Sequence, residues 1–235
     1  MNINAYLDYI HTPWGRLFYR LVWHNLKFRE KRILDFGSGF GVTASHLAAF
    51  NDVTAVEPNT EILEHRICEN RYLQIAGSIE QLKDMEDARF DVICCHNVLE
   101  YIENRADYIA EFHRLLKKDG ILSIVKHNKH GKVMHKVVFE NNADEAMALL
   151  NGENAMSQNF GTINEYELED LQECMAERFV LDKLCGIRTF FGIQPNSFKS
   201  DPGWEESMYA LECAVENDPV YSNVAFFQHL LLIKE

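Results

Sequence analysis

Short apolar runs recur along this chain, each closed by glycine, an acid or asparagine, with helix-period segments between them. Alternation of that kind predicts an α/β sheet with helices on its faces. The runs predicted as strands cover residues 32–36, 52–56, 72–76, 90–96, 121–126, 179–184 and 225–234. Helices are expected at 42–50, 60–70, 104–117 and 163–177, the last with Asn164 as its N-cap. Lys118-Asp119-Gly120 reads as the turn into the fifth strand. Three stretches stand outside the alternation: a helical cap at about 1–30 and insertions at about 128–163 and 190–222. The chain, 1–235, is expected to be a single domain. Insertions after the fifth and sixth strands are expected to wall a pocket, with surface decoration as the alternative, because ligands of open α/β sheets sit at the carboxyl ends of the strands.

The densest pattern is Ile33-Leu34-Asp35-Phe36-Gly37-Ser38-Gly39-Phe40-Gly41, a strand, a glycine loop and the start of a helix. Glycines there let backbone approach a ligand that side chains would exclude. Glu57 closes the next strand, where a carboxylate commonly accepts hydrogen bonds from a ribose diol. A dinucleotide fingerprint would need Gly or Ala at the sixth place counted from Gly37, and Val42 stands there. A diphosphate also fits poorly beside the carboxylate of Asp35.

The spacing Asp-x-Gly-x-Gly-x-Gly resembles the first motif of class I S-adenosylmethionine-dependent methyltransferases. That resemblance implies a Rossmann-like seven-stranded sheet with helices on both faces and an antiparallel last strand, and S-adenosyl-L-methionine as cofactor. It carries cofactor contacts over to Asp35, Gly37, Ser38, Gly39, Glu57, Pro58 and His96. Where many of these enzymes set an acid against the adenine, this chain has Ser78 and Ile79, which would have to serve. Further stretches are similar to a bacterial branch that includes the tRNA 5-carboxymethoxyuridine methyltransferases. They are Thr12-Pro13-Trp14-Gly15-Arg16, His96-Asn97-Val98-Leu99-Glu100-Tyr101, Lys126-His127-Asn128-Lys129-His130 and Gly186-Ile187-Arg188-Thr189-Phe190. In that branch an arginine near the front helps bind the cofactor; Phe18 aligns with it here, so the role passes to Arg16.

A sulfonium methyl is attacked in line, so positioning and exclusion of water dominate the chemistry. A carboxylate acceptor needs no general base, being ionised at neutral pH, whereas an amine or hydroxyl would call on His96, His127 or His130. His130 and Arg188 are the candidates for orienting the acceptor. Three functions follow: methylation of a carboxylate on a modified tRNA wobble uridine, methylation of a small anionic metabolite, or cofactor binding without catalysis.

Charge bears on that choice. The 235 residues carry a net charge of −13, which argues against indiscriminate nucleic-acid binding, DNA included. Basic residues nevertheless gather in two places, Arg16 to Arg32 and Lys126 to Lys136, the latter with His127, His130 and His135 and no acid. Those lysines would repel a dication, so no metal is expected. Tyr6, Tyr9, Trp14 and Tyr19 form either a stacking lid or the packed face of a helix. The six cysteines have no metal or disulfide spacing and are expected to be reduced and buried, as in a cytoplasmic protein. No stretch approaches the roughly 20 apolar residues of a membrane span, and the N-terminus lacks the features of a signal peptide.

Overall fold

The computed structural model describes residues 3–152, 156–157, 161–162, 164, 166–175 and 177–235. Seven strands form one sheet: β1 (Arg32–Phe36), β2 (Asp52–Glu57), β3 (Leu73–Ala76), β4 (Phe90–His96), β5 (Leu116–His127), β6 (Phe179–Ile187) and β7 (Phe227–Lys234). Their order is β3-β2-β1-β4-β5-β7-β6 with the last strand antiparallel, the Rossmann-like arrangement expected of class I methyltransferases. The central strands are largely apolar, with Ile33-Leu34 in β1 and Val92-Ile93-Cys94-Cys95 in β4, because a sheet covered on both faces has no wet side. Ile33, Leu34 and Ile93 are accordingly fully buried, whereas Val180, Leu181 and Asp182 of β6 are exposed. Strand order reverses at β1, which pairs in parallel with β2 on one side and β4 on the other. A switch point of that kind opens a crevice at the carboxyl ends of the strands. Phe36 is level there with Val56 and Cys95, so Asp35, Glu57 and His96 come to the same end of the sheet.

Helices are shorter than the periodicity predicts. α3 (Val42–Leu47), α4 (Thr60–Glu64) and α6 (Arg105–Leu115) all stop early, and α5 (Ile79–Lys83) is a helix the periodicity did not predict. β5 begins earlier than expected: Leu116 already pairs with Phe90, and the ladder resumes at Ile121 opposite Val92. The expected turn is thus a bulge within the strand, with Asp119 left-handed at φ 59°. α9 spans Leu168–Met175, so Asn164 lies ahead of the helix and is not its cap; Ile163 lies outside the described residues.

The chain groups into two compact units. One comprises residues 26–125, 168–183 and 230–235 and contains β1 to β4 with the glycine loop. The other comprises 1–25, 126–167 and 184–229, so it collects the N-terminal cap and both insertions. Its helices are α1 (Ile3–His11), α2 (Pro13–His24), α7 (Lys129–Val138), α8 (Ala143–Leu150), α10 (Trp204–Val215) and α11 (Pro219–Ser222), with a 3₁₀ turn at Asn196–Ser200. Thr12 caps α2 by accepting the Gly15 N–H, and Pro13 occupies the first turn where its missing N–H costs nothing. No helix among the described residues is long and apolar enough to cross a membrane.

Candidate functional site

In the loop-bearing unit, all three glycines have positive φ, at 73°, 54° and 74° for Gly37, Gly39 and Gly41. Two of them answer to packing rather than to a ligand. A Cβ at Gly37 would stand 2.2 Å from a Val98 methyl, and one at Gly41 would stand 2.0 Å from the Tyr72 hydroxyl. Gly39 instead donates its N–H to Glu57 Oε2 at 2.8 Å, while Glu57 Oε1 accepts from the Asn59 N–H at 2.9 Å. Glu57 therefore ties the loop to the end of β2. A carboxylate offers about four acceptor positions, so two protein bonds leave capacity for a diol.

Asp35 is only 3% exposed, and its Oδ2 has no hydrogen-bond partner. Burial raises its pKa to about 7, opposed by the Ala44 N–H and reinforced by the charge of Glu57. An orphaned buried oxygen costs about 1–3 kcal/mol, which a fold retains where a ligand completes the site. Ser38 Oγ and Asn97 Oδ1 are likewise buried without a partner. Asn97, which the sequence reading passed over, directly follows β4 in left-handed backbone at φ 54°. A non-glycine residue held so at a strand's end is a mark of functional sites. Together the orphaned groups of Asp35, Ser38 and Asn97 fit a polar ligand carrying donors, as S-adenosylmethionine does.

Other expected contacts are less open. The Ser78 N–H donates to Gln81 Oε1 at 2.6 Å and its hydroxyl donates to Glu80, so both serve α5. Ile79 is buried as the first residue of that helix, and Pro58 is exposed between Glu57 and Asn59. His96 Nε2 meets Ser123 Oγ at 2.9 Å, and burial lowers its pKa to about 3. It is therefore a neutral ring and too weak a base for neutral pH.

In the second unit three cations of the basic segments, Arg16, Arg20 and Lys136, are paired with acids. Arg16 reaches Glu205 at 3.0 Å, with its other end on the His11 carbonyl; Arg20 grips Glu205 and Glu206, both at 2.8 Å. Lys136 bridges Glu140 and Glu145. Phe18, at the position aligned with the family's arginine, is core and packs against Phe227 with the rings tilted. Lys126 is buried, its ammonium on the His127 carbonyl and over Tyr166. His130 is exposed on α7; the histidine turned inward is His135, whose Nδ1 donates to the Gly192 carbonyl at 2.5 Å. Of the tyrosine group, Tyr6 and Tyr19 join hydroxyls at 3.1 Å, and burial raises the Tyr9 pKa.

Arg188 ends β6 in left-handed backbone, φ 63°. The cost, about 1–2 kcal/mol for an L-residue, is offset by fully buried Glu212. Its carboxylate accepts the N–H groups of Thr189, Phe190 and Phe191 at 2.9, 2.8 and 3.3 Å. The Arg188 guanidinium lies over Phe226 at 4.4 Å and Phe191 at 5.8 Å, and its Nε has no hydrogen-bond partner. Lys199, which nothing in the sequence singled out, is also buried here. Among the described residues, His24, Cys213 and Glu216 bring ligand-type atoms within 4.8 Å of one another. The cysteines are unpaired, but Cys68 is exposed, against expectation.

Residues 34–124 match the methyltransferase domain family, a stretch that falls inside the 26–125 segment of the loop-bearing unit. A ubiquinone biosynthesis O-methyltransferase of Rickettsia felis is 32% identical over 127 residues, 50% of this chain and 50% of that protein. A thiol S-methyltransferase of Rattus norvegicus is 30% identical over 105 residues, 42% of this chain and 43% of that protein. The chain thus spans about half the length of the curated relatives it matches. A solved S-adenosylmethionine-dependent methyltransferase of Methanosarcina mazei has a TM-score of 0.57 at 18% identity, covering 91% of this chain and 96% of that one, a likeness of fold.

Proposed function

We propose that this chain is an S-adenosylmethionine-dependent methyltransferase whose acceptor presents an anionic group. The observation that carries the reading is the buried, half-satisfied Asp35 at the carboxyl end of β1, beside the glycine loop of a matched methyltransferase segment. Bound there, the cofactor supplies an electrophilic methyl on a sulfonium. In this reading Glu57 holds the ribose hydroxyls, Asp35 offers negative charge to the cationic cofactor, and the orphaned groups of Ser38 and Asn97 complete its polar contacts. The reading also assigns Gly37, Gly39, Pro58, Ser78, Ile79 and His96 to this site, and the resemblance adds Arg16, whose guanidinium is paired with Glu205. A neutral His96 is a poor proton acceptor, which favours a nucleophile that is already ionised.

Two sources of an anionic acceptor remain: a carboxylate on a tRNA wobble uridine and a small organic acid. Pairing of Arg16, Arg20 and Lys136 with acids takes three cations of the basic segments away from phosphates and favours the small acid. Unpaired cysteines suit a cytoplasmic setting. The test is S-adenosylhomocysteine formation with a panel of carboxylic acids and with tRNA from cells lacking this gene. Turnover on an acid but not on tRNA supports the reading; cofactor binding with turnover on neither would make the chain a binding protein.

A further inference from the structure

Cations that are buried ordinarily have an anion beside them, since an unpaired buried charge is costly. In the second unit a buried lysine and a half-buried arginine with an enclosed Nε stand without one. Lys199 is 2% exposed, yet its ammonium meets only the Asn196 side-chain oxygen at 2.9 Å and the faces of Trp14 and Phe139 at 5.5 and 5.2 Å. No carboxylate pairs with it among the described residues. A chain of ring contacts, stacked at one step and edge-on at the next, runs from Lys199 to Arg188, and the charge of Arg188 is felt at Lys199. Phe139 lies 4.7 Å from His135, His135 5.1 Å from Phe226, and the Arg188 guanidinium 4.4 Å over Phe226. Glu212, the acid electrostatically coupled to Arg188, has both oxygens turned to backbone N–H groups and makes no ion pair with it.

We propose that Lys199 and Arg188 together form the binding site for a single carboxylate of the acceptor. The proposal rests on the methyltransferase reading only in calling that ligand the acceptor. A count of charges selects the ligand. Glu140, 3.3 Å from His135, is matched by Lys136 at 2.8 Å, so Arg188 and Lys199 against Glu212 leave one positive charge, which a monocarboxylate closes to zero and a phosphate dianion oversteps. The neighbouring rings do not alter the sum: burial raises the Tyr9 pKa and lowers that of His135, so both stay neutral. Lys199 itself is pushed down to about 8 by burial and by the charge of Arg188, as expected of a cation waiting for an anion. Aromatic faces beside both cations, which stabilise them partially by cation–π contact, suit a carboxylate borne on a flat or apolar body. Arginine supplies a planar fork and lysine a point charge, so the two can take one carboxylate without competing for the same lone pairs.

The probes are benzoate and acetate, with benzamide and phenyl phosphate as controls, titrated calorimetrically into the full chain. Benzoate and acetate should bind, phenyl phosphate more weakly than benzoate, and benzamide not at all. Lys199→Met keeps the length of the side chain and removes its charge; it should weaken benzoate about tenfold or more, and Lys199→Arg should restore most of that. S-adenosylmethionine affinity, measured on the same variants, should not move. Absence of binding by both acids, or equal benzoate affinity in wild type and a folded Lys199→Met, overturns the proposal. Should Lys199→Met fail to fold, the wild-type order of benzoate, phenyl phosphate and benzamide decides alone, and an order with phosphate first overturns it. Failure of the wild type to bind S-adenosylmethionine would instead sink the methyltransferase reading and leave the carboxylate titration standing.

Discussion

The loop-bearing unit and the unit that collects the insertions both bury charge, but in opposite ways. In the first, the buried groups are acids, Asp35 and Glu57, set at strand ends by register and separated from one another by backbone donors. In the second, Glu212 and Glu216 are buried too, but cations stand with them: buried Lys199 and half-buried Arg188, set on a 3₁₀ turn and a strand end beside aromatic rings. An acid site suits a cationic ligand and a cation site an anionic one. S-adenosylmethionine and a carboxylate are such a pair, and their reaction removes one positive and one negative charge together. The contrast is open to attack from either side.

The largest effect should come from the acid side. Gly39 sits at φ 54° with its N–H on Glu57, a conformation that β-branched residues all but never adopt. Gly39→Val should shift the loop and lower S-adenosylmethionine affinity by about a hundredfold or more, near 2.7 kcal/mol, while the melting temperature changes little. Isothermal titration checks it. Unchanged affinity, or preference of the wild type for NAD, would remove the loop from the cofactor site.

On the cation side the effect should be smaller and confined to the acceptor. Arg188→Lys keeps the charge but loses the planar fork, so KM for the acceptor should rise about tenfold while cofactor affinity holds. A parallel fall in cofactor affinity would show that Arg188 serves the fold or the cofactor, and the two units would no longer differ in role.

These two variants also mark where the sequence was legible. The acid side could be read because its signal is local: Asp35, three glycines and Glu57 lie within a strand–loop–helix–strand unit whose periodicity fixes which ends face the crevice. The cation side could not. Lys199 lies in a segment without periodicity, and its burial comes from contacts with Trp14 and Phe139, far away in sequence. Sequence reading pointed instead to His130 and the lysines around it, since clustered charge is visible in a string of letters. The partners that neutralise such a cluster, Glu140 and Glu145 for Lys136, are a matter of folding. Arg188 was found through family resemblance; its positive φ and orphaned Nε appear only in three dimensions.

A few-fold effect is expected from pH on the acid side. Asp35 has its pKa raised to about 7, so at neutral pH about half of it carries a proton. A cationic ligand beside it lowers that pKa and expels the proton. Cofactor affinity should therefore rise between pH 6 and 8 by a few-fold, and calorimetry at pH 7 in two buffers of different ionisation enthalpy should detect release of up to about half a proton. Stability should move the other way. A folded pKa above the unfolded one means that the protonated form favours folding at low pH, an advantage lost as pH rises through about 7. Asp35→Asn should flatten both profiles; if neither changes, Asp35 is not beside the cofactor's charge.

Salt should have the smallest effect, and its smallness separates the two acceptors. A tRNA is held partly through phosphates, and each contact releases counterions, so kcat/KM would fall by an order of magnitude or more between about 50 and 200 mM salt if several form. Arg16 and Arg20 of α2 and Lys136 of α7, three of the cations that could make such contacts, are already spent on Glu205, Glu206, Glu140 and Glu145. The net charge of −13 adds repulsion at longer range. A carboxylate between Lys199 and Arg188 is shielded from solvent and screened little. Turnover of a small acid should therefore change less than about twofold over the same range. Neutralising Arg29, Lys31 and Arg32 together should leave that profile as it is. A steep slope that flattens in the triple variant would return the assignment to tRNA, because only a polyanion spread over the surface could feel three charges so far along the chain from Arg188.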